Sequence, residues 1–269
     1  MLIKDQLERI ISLPKVPKRI VSLVPSQTEL LVDLGLEEQI VGITKFCIYP
    51  NHLKKEKQIV GGTKSVHYDK IKALQPDIIL CNKEENTKDI VLGLEHIAPI
   101  HISDINTLED CFELIKQYGH IFQKETKANQ IINSIKAEKH SFISNRKNNK
   151  VAYFIWKNPW MVAGGDTFIN TMLEEAGFEN IFKNELRYPE IDLLNPKVQL
   201  ADYIFLSSEP YPFKEKHIKE IKDRLPNKKI LLVDGEYFSW YGSRIKDAYK
   251  YFRILTCRNV VYRITYAPV

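Results

Sequence analysis

The feature that most constrains this chain is an alternation. Short runs of apolar, mostly β-branched residues are each followed by a stretch whose apolar positions recur at helical spacing. Arg19 to Leu23 is the first such run; it ends at Pro25 and Ser26, and Thr28 to Leu34 follows at helical spacing. Ile40 to Ile43, Asp77 to Cys81 and Ile97 to Ile102 repeat the strand-like pattern. Strands separated by helices of this length pair in parallel through right-handed crossovers, so residues 1–106 are expected to form one α/β lobe. Residues 107–149 contain no proline and no strand-like run, and predict a helical connector. Its two helices break near Tyr118 and Gly119, and the second, from Glu125 to about Asn145, would span roughly 30 Å. The alternation then resumes over residues 150–269, giving a second α/β lobe. There Val151 to Trp156, Tyr203 to Ser207 and Ile230 to Asp234 read as strands, and Thr167 to Ala176 as a helix ended by Gly177.

Composition narrows the classes. With 269 residues, 44% of them hydrophobic, the chain can bury a large core. The net charge of +5 is the balance of 39 basic and 34 acidic residues scattered along the chain, which is a solvated surface rather than a nucleic-acid footprint. The densest basic patch, Arg146, Lys147, Asn148, Asn149 and Lys150, reads as a helix end, where cations complement exposed carbonyls. Cys47, Cys81, Cys111 and Cys257 make no CxxC pair and read as free thiols of a reducing compartment. Charges at Lys4, Asp5, Glu8 and Arg9 interrupt any secretory apolar core, and no run of about eighteen apolar residues occurs. The expectation is therefore a cytoplasmic location as written, or a periplasmic or lipid-anchored one if an upstream signal has been removed. There is no GxSxG elbow, no paired carboxylates and no Cys-His arrangement, so the chain is not expected to be an enzyme.

Four ordered segments carry a resemblance. "LPKVPKRIVSLVPSQTELLVDLGLEEQIVGIT", "YDKIKALQPDIIL", "MVAGGDTFINTMLEEAGFENIF" and "YPEIDLLNPKVQLADYIFL" resemble the class III substrate-binding proteins of ABC importers, the helical-backbone metal receptors. The likeness is to the cobalamin-binding and iron-siderophore members, and it runs from residue 2 to about residue 258. It implies an α/β fold of two lobes with parallel-type sheets, one long backbone helix, modest hinge motion and a ligand cleft between the lobes. It also implies a monomer with no intrinsic cofactor, binding a small metal-containing ligand, a cobalamin-like corrinoid or an iron chelate. The alternative is a cytoplasmic enzyme or metal and cofactor chaperone in corrinoid or iron-chelate salvage that reuses the fold.

In parallel α/β sheets ligands bind outside the carboxyl ends of the strands, so the loops there supply the candidates. Ser26 is a candidate helix cap that would leave N–H groups facing a ligand. Lys45 to Pro50 sets Phe46, Cys47 and Tyr49 between a strand and a proline, and aromatics offer broad, rigid contact to flat ligands. By the resemblance, Phe46 and Tyr49 fall where the family places aromatic contacts. Gly62 and Thr63 allow close backbone approach, without the full phosphate-loop pattern. In the second half Trp160, flanked by Pro159, reads as more exposed to ligand than Trp156, and Gly164 and Gly165 form a backbone-accessible turn. Tyr188 matches a family position for an aromatic contact. The segment "DGEYFSWYGSR" offers Glu236, Phe238, Trp240, Tyr241 and Arg244, aligned with a family loop of polar and aromatic contacts. None of the seven histidines sits in a paired spacing or beside an acidic cluster in sequence. Cys47 and His67 are the candidate ligands of a chelated metal. The resemblance further implies docking on an ABC permease through one acid on each lobe. Asp69 matches the first; the second position falls on Leu194, with Glu190 and Asp192 close by and Glu190 the candidate.

Overall fold

The computed structural model describes residues 1–143 and 148–257. Its contacts divide the chain into two compact units, one of residues 1–137 together with 240–245, the other of residues 138–239 and those from 246 onward. The boundary falls inside the connector rather than at 106/107 or 149/150. It also returns six residues of the expected second lobe, Trp240 to Ile245, to the first unit. Of the basic patch, Arg146 and Lys147 lie outside the described residues, as does the expected helix end at Asn145.

The first unit opens with an antiparallel pair that the alternation did not announce, β1 (Leu2–Lys4) and β2 (Ile10–Ser12). There follow β3 (Ile20–Ser22), α1 (Pro25–Asp33), β4 (Ile40–Ile43), α2 (Leu53–Glu56), β5 (Gln58–Ile59), α3 (Tyr68–Ala73), β6 (Ile78–Asn82), α4 (Lys88–Leu94) and β7 (Ile100–Ser103). Strands β3 to β7 form one parallel sheet in the order β5-β4-β3-β6-β7. Every residue of β3, β6 and β7 is buried, as expected where helices cover both faces of a parallel sheet.

Two expectations about helix ends are corrected here. Ser26 does not cap α1: the helix starts with Pro25 in its first turn, and the capping residue is Val24, which makes no side-chain cap bond. Gly119 does not break a helix either. α5 runs unbroken over Leu108–Ile121, from a capping box of Thr107 and Asp110, and turns only at Gln123, whose φ is 54°. The glycine lets α5 approach the next helix, α6 (Glu125–Ser141), because a Cβ built there would stand 2.8 Å from that of Ala128. α6 buries Ala128, Ile131, Ile132 and Ile135.

The second unit contains β8 (Asn149–Trp156), β9 (Met161–Val162), α7 (Phe168–Glu175), β10 (Phe178–Asn180), β11 (Tyr203–Ser207), α8 (Glu215–Arg224), β12 (Lys229–Val233), α9 (Glu236–Ser239) and α10 (Ile245–Thr256). Its sheet has the parallel order β10-β8-β11-β12, with the short β9 added antiparallel to β8. Ala152, Phe154, Ile204 and Leu206 pack one face of the sheet against Val198, Phe213 and Ile221.

Candidate functional site

In the first unit the loop after β4 is the most informative. Thr44 and Cys47 turn inward, while Phe46 stays 48% exposed. The Phe46 ring lies on Gly62: a Cβ added at Gly62 would come within 3.1 Å of it. The Lys45 ammonium stands 5.0 Å from the ring centroid. The small residue at 62 therefore seats an aromatic of this chain, and Phe46 and Gly62 are brought together as one surface. Thr63 is half-buried, and its carbonyl accepts from Asn86 Nδ2 at 2.9 Å.

Cys47 is not available as a ligand or metal donor in this conformation. It is fully buried, with its sulfur 3.1 Å from the Thr28 hydroxyl and 3.3 Å from that of Thr44. Burial pushes its thiol above the ordinary range despite those hydrogen bonds, and a metal takes the thiolate. In sequence a thiol between two aromatics is a candidate ligand; only the fold shows that Thr28, nineteen residues earlier, closes over it.

Tyr49, Trp240 and Arg244 also come together, but as a packed cluster within the first unit. The Arg244 guanidinium lies 4.0 Å from the Tyr49 ring centroid and 4.8 Å from that of Trp240, and it forms two 2.8 Å bonds with the Glu29 carboxylate. Trp240 and Arg244 are 7% and 8% exposed, so these two are packing and pairing groups rather than open ligand surfaces. Beside them the Tyr241 hydroxyl accepts from Gln27 Nε2 at 3.0 Å; the same amide reaches Ser103 Oγ, and Tyr118 donates to Gln27 Oε1 at 2.8 Å. Gly242 N donates to the Cys111 sulfur.

His67 is exposed at the start of α3 and joins no group of metal-ligating side chains among the described residues. Among the described residues, the histidine that joins a group of three possible metal-ligating side chains is His52, with Glu37 and Glu56. This corrects the view that no acidic cluster accompanies a histidine, because Glu37 lies fifteen positions away in sequence. His52 Nε2 is 2.7 Å from Glu37 Oε1, and that bond raises the imidazole above its usual range, which is the behaviour of a surface ion pair. Asp69 is exposed in the first turn of α3. Glu190 is exposed in the second unit, where its backbone bridges to Met161, and Leu194 is 59% exposed.

In the second unit the two indoles exchange their expected roles. Trp160 packs on the core, stacked on Phe213 with 6.0 Å between centroids and 7° between planes. Trp156, the last residue of β8, is 39% exposed. Gly164 and Gly165 serve the protein's own backbone: their N–H groups donate to Arg187 O and Glu185 O, and a Cβ at Gly165 would stand 1.8 Å from Lys183 O. The backbone of residues 183–187 packs against this turn. Tyr188 is half-buried with the Arg187 guanidinium 5.5 Å from its centroid. Glu236 is half-buried in the first turn of α9. Phe238 is fully buried among Tyr153, Phe205 and Phe252, which removes it from the candidate contacts.

Two α/β units with largely parallel sheets, and a long helix running from one unit into the other, are the architecture of class III substrate-binding proteins. The profile of the periplasmic binding protein family matches residues 20–230, and the chain belongs to that family. It is 30% identical over 189 residues to an uncharacterized ABC transporter substrate-binding lipoprotein, YvrC, of Bacillus subtilis, an alignment covering 66% of this chain and 60% of the relative. It is 25% identical over 195 residues to the vitamin B12-binding protein of Vibrio campbellii, covering 71% and 70%. In structure it is similar to a periplasmic solute-binding protein of Staphylococcus epidermidis, with a TM-score of 0.74 at 23% identity over 89% of this chain and 98% of the other. The expected cytoplasmic location finds no support among these relatives. Among the described residues no helix is long and apolar enough to cross a membrane.

Proposed function

We propose that this protein binds a small metal-containing ligand, a cobalamin-like corrinoid before an iron chelate, at the carboxyl-end loops of its sheets, and delivers it to an ABC permease. The observation that carries this reading is the Phe46 ring, half exposed at the end of β4 and seated on Gly62. An exposed apolar ring at the carboxyl edge of a parallel sheet suits a broad, weakly polar ligand and offers little to a bare ion. The vitamin B12-binding relative supports the corrinoid over the chelate. Asp69 and Glu190, both exposed acids, are the groups proposed to meet permease arginines. A periplasmic or lipid-anchored setting accords with the lipoprotein relative. The alternative of a cytoplasmic enzyme or chaperone has no such support.

An absorbance-monitored titration with aquocobalamin, cobinamide and a ferric trihydroxamate tests the reading. Saturable binding of a corrinoid, weakened roughly ten-fold in Phe46→Ala with no change in thermal midpoint, is the expected result. Failure of all three ligands to bind would overturn it.

A further inference from the structure

The loop between β11 and α8, residues 208–214, is held at its far end by a histidine of the helix. His217 is 3% exposed, and its ring stands against those of Tyr211 and Phe213, 5.5 and 5.4 Å away between centroids. Its Nδ1 lies 2.9 Å from Lys214 N, and its Nε2 lies 3.3 Å from the Tyr211 hydroxyl. A backbone N–H can only donate, so Nδ1 is the bare nitrogen and the single ring proton of a neutral imidazole belongs on Nε2. One side chain thus ties the loop at two points, and it does so only in its neutral form and in one tautomer.

Lys214 is the capping residue of α8 and His217 is the third residue of that helix, the place from which a glutamate or glutamine reaches back in a capping box. Here the group that reaches back is one that titrates. A proton on Nδ1 would set N–H against N–H and leave the Lys214 amide without this acceptor. The surroundings oppose that proton. An imidazolium in the first turn of a helix faces the positive end of the helix dipole. Burial, and then the ammonium groups of Lys157 from the loop after β8 and of Lys216, hold the imidazole below its ordinary range; the Glu220 carboxylate acts the other way, and Lys214 adds to the repulsion. Glu220 is itself paired with Lys157. The loop's other ties are longer than the one His217 makes to Lys214 N: Tyr211 N donates to Ile155 O at 3.3 Å, and Phe213 N to Ser207 O at 3.4 Å.

We infer that His217 is an acid-operated clasp: neutral, it holds the Lys214 N–H and the Tyr211 hydroxyl and pins residues 208–214 to the start of α8; protonated, it lets go of the amide and the loop loosens at the carboxyl end of β11. The unfolded chain takes up this proton more readily than the folded one, so the clasp is complete above about pH 6.5 and is lost as pH falls through the depressed folded value. A ligand held at that carboxyl-end loop would be released in mild acid, and this consequence alone rests on the ligand-binding reading above.

The test combines the nitrogen-15 shifts of the His217 ring with amide exchange of residues 208–217, in the wild type, H217Q and H217A, between about pH 7.5 and 5. In the wild type the ring proton should sit on Nε2 at the higher pH, a readout that needs no variant to fold. Protection of the Lys214 amide, corrected for its intrinsic exchange rate, should fall roughly 2- to 30-fold on acidification, the range expected for losing a cap. H217Q offers the acceptor of an ordinary capping box and does not titrate, so it should keep the protection at both pH values; H217A should lack it at both. A ring proton on Nδ1 at the higher pH, wild-type protection that does not change with pH, or the same fall in H217Q as in the wild type would each overturn the clasp. Cobinamide affinity over the same range tests the consequence: it should drop several-fold in acid for the wild type and hold in H217Q. If cobinamide binds at neither pH, the ligand-binding reading fails, and the clasp stands or falls on the ring and amide measurements.

Discussion

Replacing Arg244 separates a structural role from a ligand-contact role. Its guanidinium makes a two-pronged contact with Glu29 at 2.8 Å per prong, and both side chains are less than a fifth exposed, 8% for Arg244 and 19% for Glu29. Breaking such a pair from one side costs about 3–5 kcal/mol, because the largely buried carboxylate loses a two-pronged, charge-assisted contact. The rings of Tyr49 at 4.0 Å and Trp240 at 4.8 Å add cation–π contacts worth about 0.5–1 kcal/mol each, which places R244A near the upper end of that range. At a urea slope of about 2 kcal/mol per M, the unfolding midpoint should fall by roughly 2–2.5 M. R244K, which keeps the charge and loses the fork, should lose about 1–2 kcal/mol. The double variant E29L/R244M, apolar at both positions, should come within about 1.5 kcal/mol of the wild type, so that the cycle yields a clear coupling energy. Urea unfolding followed by tryptophan fluorescence and far-UV circular dichroism together provides the assay, and coincident curves license the free energies. A loss below 1 kcal/mol in R244A at unchanged slope would refute the reasoning and return Arg244 to the candidate ligand contacts.

Three further outcomes are expected. Native protein should show one fast-reacting thiol, Cys257, with Cys47, Cys81 and Cys111 reacting only on unfolding, and C47S should leave any ligand-induced corrin spectrum unchanged; a fast second thiol would contradict the burial of Cys47. His101 is fully buried, its Nε2 2.8 Å from Gln117 Oε1, and burial holds its imidazole below the ordinary range. The unfolded chain then takes up this proton more readily, so the stability tied to His101 is complete above about pH 6.5 and is lost as pH falls through the depressed folded value. H101N should flatten the slope of stability against pH between about 7 and 5, and an unchanged slope in denaturant titrations would exclude the effect. Gly165→Ala should destabilise by about 2–4 kcal/mol or prevent folding, since the methyl would meet Lys183 O at 1.8 Å; a variant with an unchanged melting temperature would show that residues 183–187 do not close over this turn.

The strands were legible because parallel strands buried on both faces are nearly continuous apolar runs: Ile40–Ile43 and Tyr203–Ser207 fall where the alternation put them. Gly177, with φ at 85°, follows α7 as a helix-ending glycine should. The misplacements share a cause. Whether Trp156 or Trp160 faces solvent is decided by Phe213, more than fifty residues away, and whether Cys47 is reactive by Thr28. Gly164 and Gly165 read as a turn open to close approach, but the sequence around them does not say whether the visitor is a ligand or the chain itself, and nothing around Gly119 announces the approach of Ala128. Phe46 and Gly62 were both singled out, yet their pairing depends on how β4 and β5 sit side by side.

The membership of Trp240 to Ile245 in the first unit bears on how the chain is made. During synthesis residues 1–137 emerge long before Tyr241 can reach the Gln27 amide, before Gly242 can reach the Cys111 sulfur and before Arg244 can meet Glu29. The amino-terminal unit thus waits, incomplete, while nearly all of its neighbour is translated. A fragment ending after α6 would expose the surfaces that those six residues cover, so truncation is a poor route to an isolated lobe. A rearranged chain with residues 240–245 joined directly to the first unit would be the better one.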